Sequence, residues 1–491
     1  MAISLNTGAL QALSAPTALP TYDRRQVRPG IVHLGLGAFH RAHQALYTEA
    51  LLARGDMRWG IVGVHLRERR MADVLAAQDC LYSVTERSGD ISRSRVVGAL
   101  CRALYAPTAL SEVLDAIADP NVSIVSLTVT EKGYCIAPAG ASLDLADAGI
   151  RHDMQAPDTP QTTLGVLAAG IRRRRADAPL TVVCCDNMAA NGDTLRRLLI
   201  EYAGLFDAAL ARRIGDTIAF PNTMVDRIVP AATPASLAEA AASLGVRDEA
   251  AIVCESFSQW VIEDRFSGPR PAWEDAGALI TSDVHPYEAM KLRLLNGTHS
   301  AIAYLGQLRG RETVSDAMAD PAMAAFVQRV MTDDLLATVE VPRGFDVDAY
   351  CRDLLDRFRN PTLAHRTRQI AMDGTQKVPV RWLPALRESL ARDIERPSLE
   401  RALAAWLHYL ATGRSDRGEP LQISDPGAEA LAMRLRGAAT PLDAVHAALA
   451  HTSVFGKEAW PHAFVERLAG YLSAVRARGT DALLAAAVHT T

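Results

Sequence analysis

The stretch Ile31-Val-His-Leu-Gly35-Leu-Gly37-Ala-Phe39-His40 constrains the fold more than any other. It sets a Gly-x-Gly between an apolar run and a helical one. The first glycine permits a tight turn, and the second lets the backbone approach an anionic ligand. The start of the helix then offers N–H groups that have no partner within it. Residues 31–34, 60–66, 122–129, 180–185 and 218–220 read as short apolar strands, and 42–52, 164–174 and 194–202 read as helices between them. Strands apolar on both faces and separated by helices predict a parallel sheet covered on both sides, the Rossmann-like α/β arrangement.

In that setting the glycine turn predicts a bound nicotinamide dinucleotide. Gly35, Gly37, Ala38, Phe39 and His40 are expected around the pyrophosphate, with Arg41 as a further phosphate contact. His40 stands where the usual third glycine would be. The second strand ends at Arg67-Glu68-Arg69-Arg70. An acid there binds the adenosine ribose diol and favours NAD, whereas an arginine suits a 2′-phosphate. Both types are present, so NAD held by Glu68 is the first expectation and NADP stays open. His40 and His43 are three apart, but only Glu49 is a nearby carboxylate, and no metal is expected.

The pattern changes near residue 285. Beyond it Ala, Leu and Arg recur at helical spacing over 288–305, 322–334, 399–411 and 463–475, which predicts a second, mainly helical domain. The expected division is 1–284 and 285–491. The charged run 381–396 reads as a solvated helical face. Seven scattered cysteines (Cys80, Cys101, Cys135, Cys184, Cys185, Cys254 and Cys351) contain no C-x-x-C and read as buried thiols in a reducing cytoplasm. A net charge of −4 gives no reason to expect nucleic acid or an anionic membrane as partner. The first sixteen residues lack a basic segment and a continuous apolar run, so secretion is not expected. Two unequal domains are compatible with a monomer.

The segment Tyr287-Glu-Ala-Met-Lys291-Leu-Arg-Leu-Leu-Asn296-Gly-Thr-His299-Ser carries the chemistry. On an α-helix, with Lys291 at zero, Glu288 falls at about 60°, His299 at about 80° and Asn296 at about 140°. Four functional groups thus share one side, with Met290 and Leu294 on the other. Reducing a carbonyl needs a proton donor and hydrogen bonds to the developing alkoxide. A lysine withdrawn from water can give and take that proton, an asparagine can donate to the oxygen, and a histidine can hold the substrate. Tyr287-x-x-x-Lys291 also matches the Tyr-Lys pair of short-chain dehydrogenases. Those chains are about half as long and carry the pair in the nucleotide domain, so a tyrosine base is not expected.

Lys291-x4-Asn296-x2-His299, with G-x-G-x-F-H-R-A-H-Q at 35–44, resembles the polyol-specific long-chain dehydrogenases. Further matching blocks are Thr128-Val-Thr-Glu-Lys-Gly-Tyr134, Cys185-Asp-Asn187 with Asn191-Gly192, Phe220-Pro-Asn-Thr-Met-Val-Asp226-Arg227, Trp260-Val-Ile-Glu-Asp-Arg-Phe266 and Asp373-Gly-Thr-Gln-Lys377. The resemblance implies a metal-independent, NAD(P)-linked enzyme in which Lys291 is the proton-transfer group. It also implies that Asn187 and Asn296 form the oxyanion hole and that His299 binds substrate. Asp226, Glu288 and Lys377 correspond to positions near the substrate, and Thr130 is expected at the cofactor.

The segment His365-Arg-Thr-Arg-Gln369-Ile-Ala-Met-Asp-Gly looks more like fructuronate reductase than mannitol dehydrogenase. A uronate carboxylate needs a cation, and Arg366 or Lys377 is expected to supply it. Reduction of fructuronate to mannonate is therefore the first expectation, and oxidation of mannitol the second. A nucleotide-binding sensor without catalysis is a distant third, because the Lys, Asn and His set is intact.

Overall fold

The computed structural model describes residues 3–14, 16–89, 91–137, 140, 142–363 and 365–485. The chain divides into two compact units, Met1–His285 and Pro286–Thr491. The strands of the first unit are β1 (Pro29–Leu34), β2 (Gly60–His65), β3 (Tyr82–Ser88), β4 (Ile91–Val97), β5 (Leu100–Tyr105) and β6 (Ile124–Leu127). They continue as β7 (Leu180–Cys184), β8 (Ile218–Ala219), β9 (Thr223–Asp226), β10 (Ile252–Glu255), β11 (Gln259–Glu263) and β12 (Leu279–Thr281).

Six strands form one parallel sheet in the order β5-β2-β1-β6-β7-β8. Counted along the chain these six run 3-2-1-4-5-6, the doubly wound order of a Rossmann fold. The direction of winding reverses between β1 and β6, and the glycine turn opens from β1 at that switch point.

Alternation along the strands explains the continuous apolar runs. Val32, Leu34, Val62, Val64, Val125 and Leu127 enter one core, which the helices Ala106–Ala118 and Thr163–Arg173 close. Ile31, Ile61, Ile124 and Val183 enter a second core under the helix Gln44–Ala53. With both faces covered, both sets of side chains are mostly apolar, and the buried polar exceptions such as His33 and Ser126 pair with each other.

Two three-stranded sheets, β10-β3-β4 and β12-β11-β9, were not expected from the sequence. Nor was the edge strand β5, whose exposed Arg102 interrupts its apolar pattern.

The second unit is helical. Its longer helices are Thr298–Leu308, Val347–Arg359, Pro397–Thr412 and His462–Arg478, packed around Tyr304, Phe326, Trp382 and Trp406. Two expected α-helices are not α throughout. Within 288–305 the segment Lys291–Gly297 is a π-helical turn, and within 322–334 the α-helix Pro321–Arg329 passes into a second one, Val330–Leu335. In these turns the backbone bonds run from residue i to i+5.

The run 381–396 is not a solvated face: Trp382, Leu383 and Leu386 are buried. Its arginines reach specific carbonyls, with Arg381 on Asn296, Arg387 on Phe455 and Arg396 on Asp333. Among the described residues no helix is long and apolar enough to cross a membrane.

Candidate active site

In the first unit the glycine turn is fixed by sterics. Gly35 has φ +91°, and a Cβ there would lie 2.2 Å from the carbonyl oxygen of Thr128. No other residue fits. Gly37 is different. It is exposed and caps the helix Ala38–Ala42, and a Cβ there would meet only Gly35 O at 3.7 Å. The fold does not require glycine at this point, whereas close approach of a ligand to the backbone does. Ala38 and Phe39, both half-buried, form the first turn of that helix.

His40 supports the turn from below rather than facing outward. It is 1% exposed and stacks on His33 with ring centroids 3.3 Å apart. His33 lies 2.8 Å from Ser126 Oγ and 2.9 Å from Thr128 Oγ1, and Thr128 Oγ1 donates to Gly35 O. Burial pushes His33 down to about 3 and holds His40 well below the ordinary histidine value, so both rings are neutral.

Arg41 corrects the sequence expectation. Its side chain is buried, donates to Ala250 O at 2.6 Å through Nη1 and lies over the Tyr82 ring, so it is not the exposed phosphate contact that was expected. Glu68, in contrast, is exposed just past β2, at the N-cap of the helix Arg69–Ala77, and makes no side-chain capping bond. That leaves its carboxylate open to a ribose diol.

A residue that the sequence reading passed over organises the next loop. The buried carboxylate of Asp186 accepts from the backbone N–H of Val129 (3.0 Å) and of Thr130 (2.8 Å) and from Tyr134 Oη (2.5 Å). It thereby holds Thr130 at φ +67°, a conformation rare for a β-branched residue. Asn187 follows directly and is exposed. Asn191 ties this corner to β9, accepting from Thr223 N and donating to Asp186 O. Asp226, buried, ends β9, and the neighbouring Arg227 donates to Ala42 O and Glu255 O.

In the second unit, Glu288 lies on the short helix His285–Met290, and Lys291 and Asn296 lie in the π-helical turn that follows. All three are half-buried. In an i→i+5 register residue 296 stacks over residue 291. The angle of about 140° expected for an α-helix therefore does not apply, and Lys291 and Asn296 share a face more closely than the sequence suggested.

His299 begins the following α-helix and is 7% exposed. Its ring packs on Phe358 (centroids 4.6 Å) and edge-on to His365 (5.4 Å). Burial holds it well below the ordinary histidine value, and the nearby His365, Arg357 and Arg381 push the same way. Its buried Nε2 has no hydrogen-bond partner. A neutral ring with one open nitrogen is suited to a substrate hydroxyl.

Lys377 sits on the helix Gly374–Arg381 and donates to Ile370 O at 3.2 Å. Asp425 accepts from Thr375 N at 2.7 Å and from Gly427 N at 3.0 Å, which anchors the start of that helix. Arg366 is exposed at an N-cap. The guanidinium groups of Arg357 and Arg381 are among those that lower the pKa of His299. Neither stood in a motif, so the sequence did not single them out for this role. Tyr287 packs edge-on against Phe345. Among the described residues, no group of three or more His, Cys, Asp or Glu side chains is arranged to hold a metal ion.

Comparison with known proteins covers both units. The family described as mannitol dehydrogenase Rossmann domain matches residues 29–275, and mannitol dehydrogenase C-terminal domain matches 283–476. The chain is 43% identical to the D-mannonate oxidoreductase of Escherichia coli (strain K12) over 417 residues, 84% of this chain and 86% of that protein. It is 40% identical to the mannitol 2-dehydrogenase of Cereibacter sphaeroides over 472 residues, 95% and 97% of the two chains. Among solved structures, the Pseudomonas fluorescens mannitol 2-dehydrogenase ternary complex with NAD and D-mannitol superimposes with a TM-score of 0.86 at 37% identity, covering 98% of this chain and 99% of the other. A Rossmann-like unit followed by a helical unit, each matched along most of its length, makes this chain a member of the mannitol dehydrogenase family of oxidoreductases.

Proposed function

We propose that this enzyme interconverts a keto sugar acid and its hydroxy form, fructuronate and mannonate, with NAD(H) as redox partner. The dinucleotide fits the first unit, where Gly35 makes the turn, Gly37 leaves the backbone open and Glu68 offers a free carboxylate past β2. When bound, NAD(H) supplies or accepts the hydride. Lys291 gives the proton to the carbonyl oxygen in reduction and takes it back in oxidation. Asn187 and Asn296 donate hydrogen bonds to that oxygen as its charge grows. His299, neutral, holds a substrate hydroxyl through Nε2. Glu288 passes protons between Lys291 and solvent, and Asp226 and Lys377 contact the sugar chain.

The observation that favours an acid substrate is the presence of two cations, Arg366 and Lys377, in the segment 365–377, with Arg366 exposed. A uronate carboxylate held by Arg366 or Lys377 gains charge-assisted hydrogen bonds that a neutral polyol does not. The likeness to a D-mannonate oxidoreductase points the same way. Oxidation of mannitol to fructose is the second reading, favoured by the fit to a structure holding D-mannitol.

Absorbance of reduced nicotinamide, followed with fructuronate, fructose, mannonate and mannitol in turn, separates the two. Higher kcat/KM for fructuronate than for fructose is expected. A preference for fructose and mannitol would transfer the assignment to the second reading.

A further inference from the structure

A π-helical turn strains the backbone ladder around it and persists where neighbouring groups stabilise the altered carbonyls. The turn Lys291–Gly297 has such neighbours at its C-terminal end. Arg381 Nη1 donates to Asn296 O at 3.2 Å and to Ser300 Oγ at 2.9 Å. Trp382 Nε1 donates to Gly297 O at 2.9 Å. Two consecutive residues thus grip two consecutive carbonyls.

The local sequence suits this grip. Trp382 is fully buried and marks the break between the helices Gly374–Arg381 and Leu383–Leu390, with φ −120°. Its indole therefore leaves the helical line toward the turn. Gly297 packs against Leu335: a Cβ there would lie 3.1 Å from Leu335 Cδ1 and at ordinary contact distance, 3.6 Å, from both Arg381 O and Trp382 Cδ1. The other end of the turn is held through Arg293, which binds the Glu388 carboxylate at 2.5 and 2.8 Å and also donates to Thr338 O.

We propose that Arg381 and Trp382 are positioning residues that hold Lys291–Gly297 in its π register, and that this register places Asn296 on the face of Lys291. The proposal rests on the catalytic reading of those two residues. Were the segment to relax to an α-helix, Asn296 would lie about 140° from Lys291 around the axis. The proton donor and one oxyanion donor would then no longer address the same oxygen. Arg381 belongs to the helix that carries Lys377, so the clamp also couples that helix to the turn.

Trp382→Phe removes the indole donor and keeps most of the packing, and Arg381→Lys keeps the charge and loses the fork. Each is expected to lower kcat by about 100-fold, the cost of a displacement of about 1 Å at a reacting group. KM and NADH affinity should change by less than about threefold. In an Asn296→Ala background Trp382→Phe should cost little more, because the group it positions is gone. A purely structural role predicts a lowered Tm, full kcat per folded molecule and additive effects with Asn296→Ala.

Folded Trp382→Phe and Arg381→Lys enzymes with wild-type kcat would reject the clamp. If Lys291→Ala keeps its activity while Trp382→Phe loses it, the lysine assignment fails and the clamp survives through Asn296.

Discussion

The candidate residues of the two units are held by opposite means. In the first unit the backbone itself sets the geometry, because Gly35 has no room for a Cβ and Thr130 is held at positive φ by a buried carboxylate. In the second unit the backbone departs from its preferred form, and side chains from outside the segment hold it there. The first kind of site is written where it is used. The second depends on residues 85 positions away.

The difference can be broken at graded points. Gly35→Ala should have the largest effect on the first unit, through an unfavourable φ and an impossible contact with Thr128 O. A loss of more than about 3 kcal/mol is expected, with NADH binding abolished; thermal unfolding and fluorescence titration would measure both. Asp186→Asn should come next. It turns one acceptor of the Val129 and Thr130 N–H groups into a donor, and costs about 1–3 kcal/mol. NADH affinity should fall by at least about tenfold, and an unchanged affinity would show that the loop needs no such anchor.

In the second unit Gly297→Ala should be milder, because the nearest obstacle is a leucine methyl that can give way. About 1 kcal/mol is expected, together with a fall in kcat at unchanged NADH affinity. A variant that loses NADH affinity instead would contradict the separation of the two halves.

A further effect is a dependence on pH. His33 and His65 are pushed by burial down to about 3 and about 4, and His40 lies well below its usual value. Below about pH 6.5 the unfolded chain takes up protons on these residues and the folded chain does not, so stability falls with falling pH until the folded values are reached. The slope is about 1.4 kcal/mol per pH unit for each such histidine. Urea unfolding at pH 7 and pH 5 would show it as a lower midpoint at pH 5.

Much of the first unit was legible because its physics is local. Strands buried on both faces leave continuous apolar runs, and a glycine forced by sterics appears as a glycine. Arg41 was less legible: next to a glycine turn an arginine reads as an exposed phosphate contact, and nothing local shows that its side chain is buried on Ala250 O and Tyr82. The Lys-x4-Asn spacing of the second unit was visible, but an α-helical wheel set the pair about 140° apart. The π register that joins them is set by Arg381 and Trp382, and no pattern within residues 287–300 encodes those contacts.

The central claim is that the first unit holds the cofactor while Lys291 in the second moves the proton. Lys291→Ala tests it most directly, with turnover and NADH affinity measured on the same preparation. The account predicts a loss of several orders of magnitude in kcat with NADH affinity unchanged. Retention of most of the activity, or loss of NADH binding in parallel with turnover, would contradict it.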